Sequence, residues 1–289
     1  VPEQSGAQEQ NVVTGSTDFS VRFWGVRGSI ACPGPDYVRY GGNTSCLEIK
    51  CGDKRLIFDA GTGIRALGLE LAQCRPNDLD IFFTHTHFDH VCGLTFFSSL
   101  FCPDSTVRMW AGHLEDEMTL RGVLTNLMMA PLYPVSLEIF QAKVSFNDFR
   151  AGQVLTPHKD VTLRTALLNH PNGATGYRVE FGGKSICYIT DTEHYADHVD
   201  QTIVELVRGA DIMIYDATYT DDEYPTYRGW GHSTWQEGLK LARAAGVKQY
   251  VVFHHDPGHS DAFMDAVARD VEVAQPGSVV AREGMVLRP

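Results

Sequence analysis

The sequence has no surplus of positive charge, no long apolar run and no closely paired cysteines, and each lack removes a class of function. Lysine and arginine total 24 against 36 acidic residues, a formal charge of -12 over 289 residues. Nucleic-acid affinity comes largely from cationic side chains displacing condensed counterions, so a chain this acidic is not expected to hold a large nucleic acid. A local pocket for one small phosphate is still compatible with that charge. No apolar stretch approaches the ~20 residues that cross a bilayer, so no membrane partner is expected. The seven cysteines (Cys32, Cys46, Cys51, Cys74, Cys92, Cys102 and Cys187) are odd in number and contain no CxxC. That argues against both a disulfide framework and a zinc finger, and for reduced, mostly buried thiols in a cytoplasmic setting.

The first twenty residues lack an initiator methionine and an apolar signal core. Roughly residues 1–18 are therefore read as a processed or appended polar tail. No linker rich in Pro, Gly or Ser, no repeat and no low-complexity tract divides residues 19–289. Short apolar strands open this part (Ser20–Trp24, Ser45–Lys50, Arg55–Asp59), followed by the turn Gly61–Gly63. Ile64, Leu67, Leu71 and Ala72 at helical spacing predict a helix over Gly63–Cys74, before a strand at Leu79–Thr84. Helices are expected at Gly93–Leu100 and Leu114–Leu127 with a strand at Val107–Ala111 between them, then a loop at Met128–Val135. Further strands are expected near Ser145–Phe149, Val161–Asn169, Gly176–Phe181, Ser185–Thr190, Ile212–Ala217 and Gln249–Phe253, and helices near Thr202–Gly209 and Ser233–Ala245. This rhythm predicts an α/β chain, with one domain of two sheets covered by helices as the simplest architecture.

The decisive segment is His85-Thr86-His87-Phe88-Asp89-His90, placed after an apolar strand and before a helix. By chance, such a spacing arises with odds on the order of one in a thousand. On an extended strand end residues two apart point the same way, so His85 and His87 are expected to share one ion. A turn into a helix then aims Asp89 and His90 at a second. Imidazole with carboxylate suits zinc first, with manganese or iron as alternatives.

In this motif the sequence resembles the metallo-β-lactamase superfamily over nearly all of Phe19–Pro289. The resemblance implies a four-layer αββα sandwich with two divalent metal ions at one sheet edge. It also implies three further ligands in order: a His, a bridging Asp and a final His. His170, Asp191 and His254 each close an expected strand and match that order, with His255 competing for the last place. The implied division is His85, His87 and His170 on one ion, Asp89, His90 and His254 on the other, and Asp191 between them. Gly41–Cys46 and the turn Asp59–Gly63 also match, with Asp59 as a brace behind the ligands.

Asp216-Ala-Thr-Tyr and Gly231-His232-Ser233-Thr234 look like segments of the transfer-RNA 3′-processing endonuclease and its small cyclic-phosphodiesterase relatives. There the His of the HST triplet faces the scissile phosphate, and an acidic residue corresponding to Asp216 orients it. The long basic arm with which that endonuclease grips transfer RNA has no counterpart here. The expected activity is hydrolysis of a small phosphodiester such as a cyclic nucleotide by a hydroxide held between the metals, with Asp89, His232 and Asp216 as catalytic groups. Alternatives are a lactone, thioester or β-lactam hydrolase on the same centre, and a metal-stabilised binding module without catalysis. A redox di-iron centre is disfavoured because His87 stands where the related flavin-dependent reductases usually carry Glu.

Tyr219, Tyr224, Tyr227 and Trp230 read equally as walls for a flat group or as loop packing. His113, His158, His194, His198 and His259 read as surface or core residues, His259 near enough to His254 to line the pocket. A homodimer is an expectation from fold analogy alone.

Overall fold

Strands Ile212–Asp216 and Gln249–Phe253 are almost wholly buried, which in a parallel sheet means that helices or a second sheet cover both faces. The computed structural model describes residues 17–114 and 118–289. Residues 1–16 of the expected tail lie outside the described residues, as do residues 115–117 within the helix expected over Leu114–Leu127.

In chain order the elements are β1 (Phe19–Gly25), β2 (Cys46–Cys51), β3 (Lys54–Phe58), α1 (Ile64–Leu71), β4 (Asp78–Phe83), α2 (Phe88–Val91), β5 (Thr106–Ala111), α3 (Leu120–Leu127) and β6 (Lys143–Asp148). There follow β7 (Val154–His158), β8 (Val161–Leu168), β9 (Ala174–Phe181), β10 (Lys184–Ile189), α4 (Gln201–Val207), β11 (Ile212–Asp216), α5 (Tyr224–Tyr227), α6 (Trp235–Ala245), β12 (Gln249–Phe253), α7 (Asp261–Ala274), β13 (Val279–Val280) and β14 (Val286–Leu287). They build two mixed seven-stranded sheets, β14-β1-β2-β3-β4-β5-β6 and β13-β12-β11-β10-β9-β8-β7. In each, one half is antiparallel and the other parallel.

The period-two alternation of strands sorts side chains into layers. Ile212 and Ile214 face the space between the sheets with Phe58, Phe82, Tyr177 and Phe253, while Met213 and Tyr215 pack beneath α4 and α6 with Leu206 and Leu239. On the other sheet Leu56 and Phe58 point inward and Ile57 outward under α1 and α3. The result is helix, sheet, sheet, helix, as the αββα expectation has it. No helix among the described residues is long and apolar enough to cross a membrane.

Three readings of local structure need correction. The helix expected at Gly93–Leu100 is a pair of 3-10 turns, Leu94–Phe96 and Ser98–Phe101, broken at Phe97 (ψ 104°). The α-helical turn instead lies one step earlier, at α2. The amphipathic α7 is unforeseen, although Ser260 caps it (Phe263 N–H to Oγ, 3.4 Å) and Met264, Val267 and Val271 form its buried stripe. The edge strand β7 holds Pro157, whose missing N–H hides a strand from pattern reading.

Register places the site. Ile189 pairs with Tyr215, and Asp216 with Phe253, so β10, β11 and β12 end level. Asp191, Asp216 and His254 therefore emerge along one edge. On the facing sheet Phe58 pairs with Phe82, which sets Asp59 beside Thr84 and His85.

Candidate metal centre

The chain must turn sharply where these strands end, and three acidic or imidazole residues make the turn. Asp59 (φ 61°), Asp191 (φ 59°) and His254 (φ 62°) all occupy the left-handed region. That conformation is uncommon outside glycine and collects at functional sites, held there by surrounding contacts. It swings each side chain back over the sheet edge.

The structure brings together His85, His87, Asp89, His90, His170, Asp191 and His254. His170 Nε2 lies 3.1 Å from His87 Nδ1, and His85 Nε2 lies 3.7 Å from Asp191 Oδ1. On the other side His90 Nε2 is 3.3 Å from His254 Nε2 and 3.3 Å from Asp89 Oδ2. Asp191 stands where the two groups meet. Its Oδ1 faces His85 and His170 (3.7 and 3.9 Å), its Oδ2 faces His90 and His254 (3.2 and 3.4 Å). His85, His87 and His170 offer ligand atoms all within 4.8 Å of one another, as do Asp89, His90 and His254. His254, not His255, reaches the cluster; His255 turns away and hydrogen-bonds the Ala281 carbonyl at 2.8 Å.

The nitrogens that face away from the cluster are each engaged. His90 Nδ1 donates to Asp59 Oδ2 (2.9 Å), and Asp59 also takes the Thr84 N–H and the Tyr188 hydroxyl. His170 Nδ1 donates to the Gly231 carbonyl (2.7 Å). His254 Nδ1 lies 3.0 Å from Thr218 Oγ1, whose own hydrogen goes to Asp216 Oδ1 (2.7 Å). Such outer partners set the tautomer and leave Nε2 as the free donor. Two glycines permit the packing. A Cβ on Gly28 would lie 2.4 Å from the His254 ring, and one on Gly231 (φ 85°) 2.5 Å from His170 Nδ1.

The donor set fits two divalent cations. His85 Nε2 is buried with no hydrogen-bond partner, an orphan that a ligated ion would satisfy. Burial holds the His85 imidazole neutral, its pKa well below the ordinary value. His90 behaves oppositely. Burial lowers its pKa, but Asp191, Asp89 and Asp59 outweigh that and hold a proton on it, so the buried carboxylates demand positive charge here. The His/Asp clusters are thus consistent with a dinuclear metal site.

His232 sits beside this cluster. Its Nδ1 is 2.9 Å from Asp216 Oδ2 and 3.8 Å from Asp191 Oδ1, and its ring stacks on His254 with centroids 5.0 Å apart. Burial opposes its charge, yet Asp216 and then Asp191 push its pKa up to about 9.

Glu193 is a partner that sequence reading missed. It accepts from the Tyr224 hydroxyl (2.7 Å) and from the Gly229 and Gly231 amides (2.7 and 2.9 Å), pinning the loop that leads to His232. Its only signal is its place just after Asp191. Among the aromatic residues nearby, Tyr219 and Tyr224 are buried and Tyr219 stacks on Tyr227, while Trp230 is exposed. The other histidines bind elsewhere: His158 to Asp80, His194 to Ser233, His198 to Asp197, His259 to Glu223 and His113 to Thr86.

Residues 54–255 match the Beta-lactamase superfamily domain. Ribonuclease Z of Bradyrhizobium sp. (strain ORS 278) is 28% identical over 302 residues, covering 88% of this chain and 95% of the relative. A diphosphatase from the PhnP family superposes with a TM-score of 0.69 at 18% identity, covering 94% and 98% of the two chains. Zn(2+)-bound PqqB from Methylobacterium extorquens superposes with a TM-score of 0.66 at 17% identity, covering 93% and 100%. The chain belongs to the metallo-β-lactamase superfamily, and within it is a distant relative of Ribonuclease Z.

Proposed function

We propose that this metal-dependent hydrolase cleaves a small phosphodiester such as a cyclic nucleotide, with His232 and Asp216 serving the leaving group. The observation that carries the reading is the His232–Asp216 pair, 2.9 Å long and set against the metal-ligand cluster. The pair includes the His of the HST triplet His232–Thr234, which looks like that of the phosphodiester-cleaving branch and tips the reading away from acyl hydrolysis.

His85, His87 and His170 would hold one ion, Asp89, His90 and His254 the other, and Asp191 would bridge them. Two divalent cations there, zinc in the first instance, would supply a water with its pKa lowered toward ~7 and counter-charge for the phosphate oxygens. Asp89, at the edge of the cluster, would help to position that water. Asp216 takes the Nδ1 hydrogen of His232 and so directs Nε2–H outward. As a water-derived hydroxide oxygen bonds to phosphorus and the ester P–O bond breaks, the departing alkoxide would take that Nε2 proton, and the proton given up by the water would return to the imidazole through solvent. Before that transfer the imidazolium stabilises the charge gathering on phosphate. The kinship with Ribonuclease Z favours phosphate ester chemistry, and the formal charge of -12 favours a substrate smaller than a polynucleotide.

The test is an assay of protein reconstituted with zinc or manganese, wild type and His232→Ala, on bis(p-nitrophenyl) phosphate, cyclic AMP and a lactone. Diester turnover that falls about 100- to 10,000-fold in the variant is expected, with metal content unchanged. No cleavage of either diester with either metal would overturn the proposal. Lactone turnover alone, indifferent to His232, would move the protein to acyl hydrolysis.

A further inference from the structure

A cavity of about 260 Å³ opens directly beside Asp89. Ile30 and Ala31 from the loop after β1, and Phe88, Cys92 and Phe96 from the segment carrying Asp89, form much of its wall. Asp89 and Arg65 are the charged residues among those that line it. Two of its lining hydroxyl oxygens already accept backbone hydrogens: Thr44 Oγ1 from the Thr62 N–H (2.8 Å) and Thr62 Oγ1 from the Thr44 N–H (2.9 Å). Against the carbon surface of Ile30, Ala31, Phe88 and Phe96 a polar substituent would lose water and regain little, whereas an apolar one gains by leaving water. A larger cavity, about 340 Å³, is lined by Leu114, Met118 and Asp148, and none of the His/Asp cluster borders it.

The wall is tied to the reacting centre. Ser29 holds the left-handed conformation (φ 60°) and donates its N–H to Asp89 Oδ2 at 2.8 Å. Gly28, one residue earlier, donates to the His255 carbonyl at 3.0 Å. The pocket is therefore preformed and fixed in position relative to Asp89. His232 does not line it, so the alcohol that His232 protonates departs elsewhere.

We infer that this pocket is a specificity subsite for an apolar, aryl or alkyl, substituent on the phosphorus, the ester group that stays when the other leaves. The inference rests on the phosphodiesterase reading and deepens it: the substrate class becomes a phosphodiester with one apolar alcohol. An apolar cavity of about 150 Å³ suffices for benzene, so a phenyl ring fits with room for further atoms.

Two measurements test it. In the first, zinc-loaded enzyme turns over p-nitrophenyl phenyl phosphate and p-nitrophenyl methyl phosphate, which share a leaving group. A kcat/KM for the phenyl ester about tenfold or more above that for the methyl ester is expected. Phe96→Ser and Ile30→Ser should narrow the ratio by lowering only the phenyl value. Both side chains are already 62% and 60% exposed, so neither change empties the core. Equal rates on the two esters, or an unaltered ratio in both variants, would overturn the subsite. In the second, calorimetry compares phenylphosphonate and methylphosphonate on the same zinc-loaded protein. Tighter binding of the phenyl compound by about tenfold supports the pocket and equal affinity refutes it, even if no diester is cleaved and the phosphodiesterase reading itself falls.

Discussion

At the scale of single residues the centre depends on which nitrogen of each histidine is engaged away from the cluster. Asp59 is the clearest case, because it accepts from His90 Nδ1 at 2.9 Å while Thr84 and Tyr188 hold its own oxygens. Asp59→Asn keeps the shape but removes the charge that fixes the imidazole. It should weaken metal binding roughly 10- to 100-fold, measured by competition with a chromophoric chelator. Asp216 acts likewise on His232. In metal-free protein His232 carries its proton up to about pH 9 because Asp216 outweighs burial. Asp216→Asn removes the largest raising charge while Asp191 and Asp89 stay in place, so the pKa should fall from about 9 toward the ordinary value, read from the imidazole resonances by NMR titration. An unmoved pKa would mean that Asp216 does not control this histidine. The motif His85–His90 was legible because four candidate ligands in six positions admit few other uses. Thr84, Thr218 and Glu193 were not, since a threonine or glutamate near a strand end carries no spacing signal of its own.

At the scale of elements, the site is a set of strand ends, and every proposed ligand lies just past one or in the turn that follows. Strands of near-continuous apolar residues were easy to read, as Ile212–Asp216 shows. Their ends were not, because the left-handed turns at Asp59, Asp191 and His254 come from contacts made by other strands. The helix misplaced at Gly93–Leu100 has a similar cause, since its serines bond to distant parts of the chain: Ser98 Oγ donates to the Gly68 carbonyl of α1 (2.6 Å) and Ser99 Oγ accepts from the Asn77 side-chain amide (3.1 Å). The helix α6 begins three residues after His232 and is capped by Thr234, whose Oγ1 accepts the Glu237 N–H at 3.1 Å and whose hydroxyl donates to Asp221. Thr234→Ala should cost about 1–2 kcal/mol in urea unfolding. A loss of catalytic rate should accompany it, since the cap also fixes the approach of His232; full activity with lowered stability would show that the loop is held by Glu193 alone.

At the scale of the whole molecule, the two sheets are joined at the site by hydrogen bonds as well as by apolar packing. Tyr177 donates across to the Phe83 carbonyl (2.7 Å), Tyr188 to Asp59 (2.9 Å), and the Thr175 amide to the Thr84 carbonyl (2.8 Å). Ions bound between the sheets would therefore stabilise the whole fold. Free zinc at about 100 times its dissociation constant contributes roughly 2.7 kcal/mol. At roughly 2–4 °C per kcal/mol for a large domain, chelation should lower Tm by about 5–10 °C, followed by scanning calorimetry with and without added metal. A Tm indifferent to chelator would mean that the cluster holds no ion in the folded protein. From the sequence alone came the α/β class, the family resemblance and the candidate ligands, because apolar periodicity and a dense ligand motif are local properties of the chain. The tertiary structure alone decided that His254 rather than His255 joins the cluster and that Asp191 divides its oxygens between two histidine groups. It alone also set an apolar pocket against Asp89. These depend on the register of parallel strands and on contacts between residues more than 100 positions apart, such as His90 and His254, which no local pattern encodes.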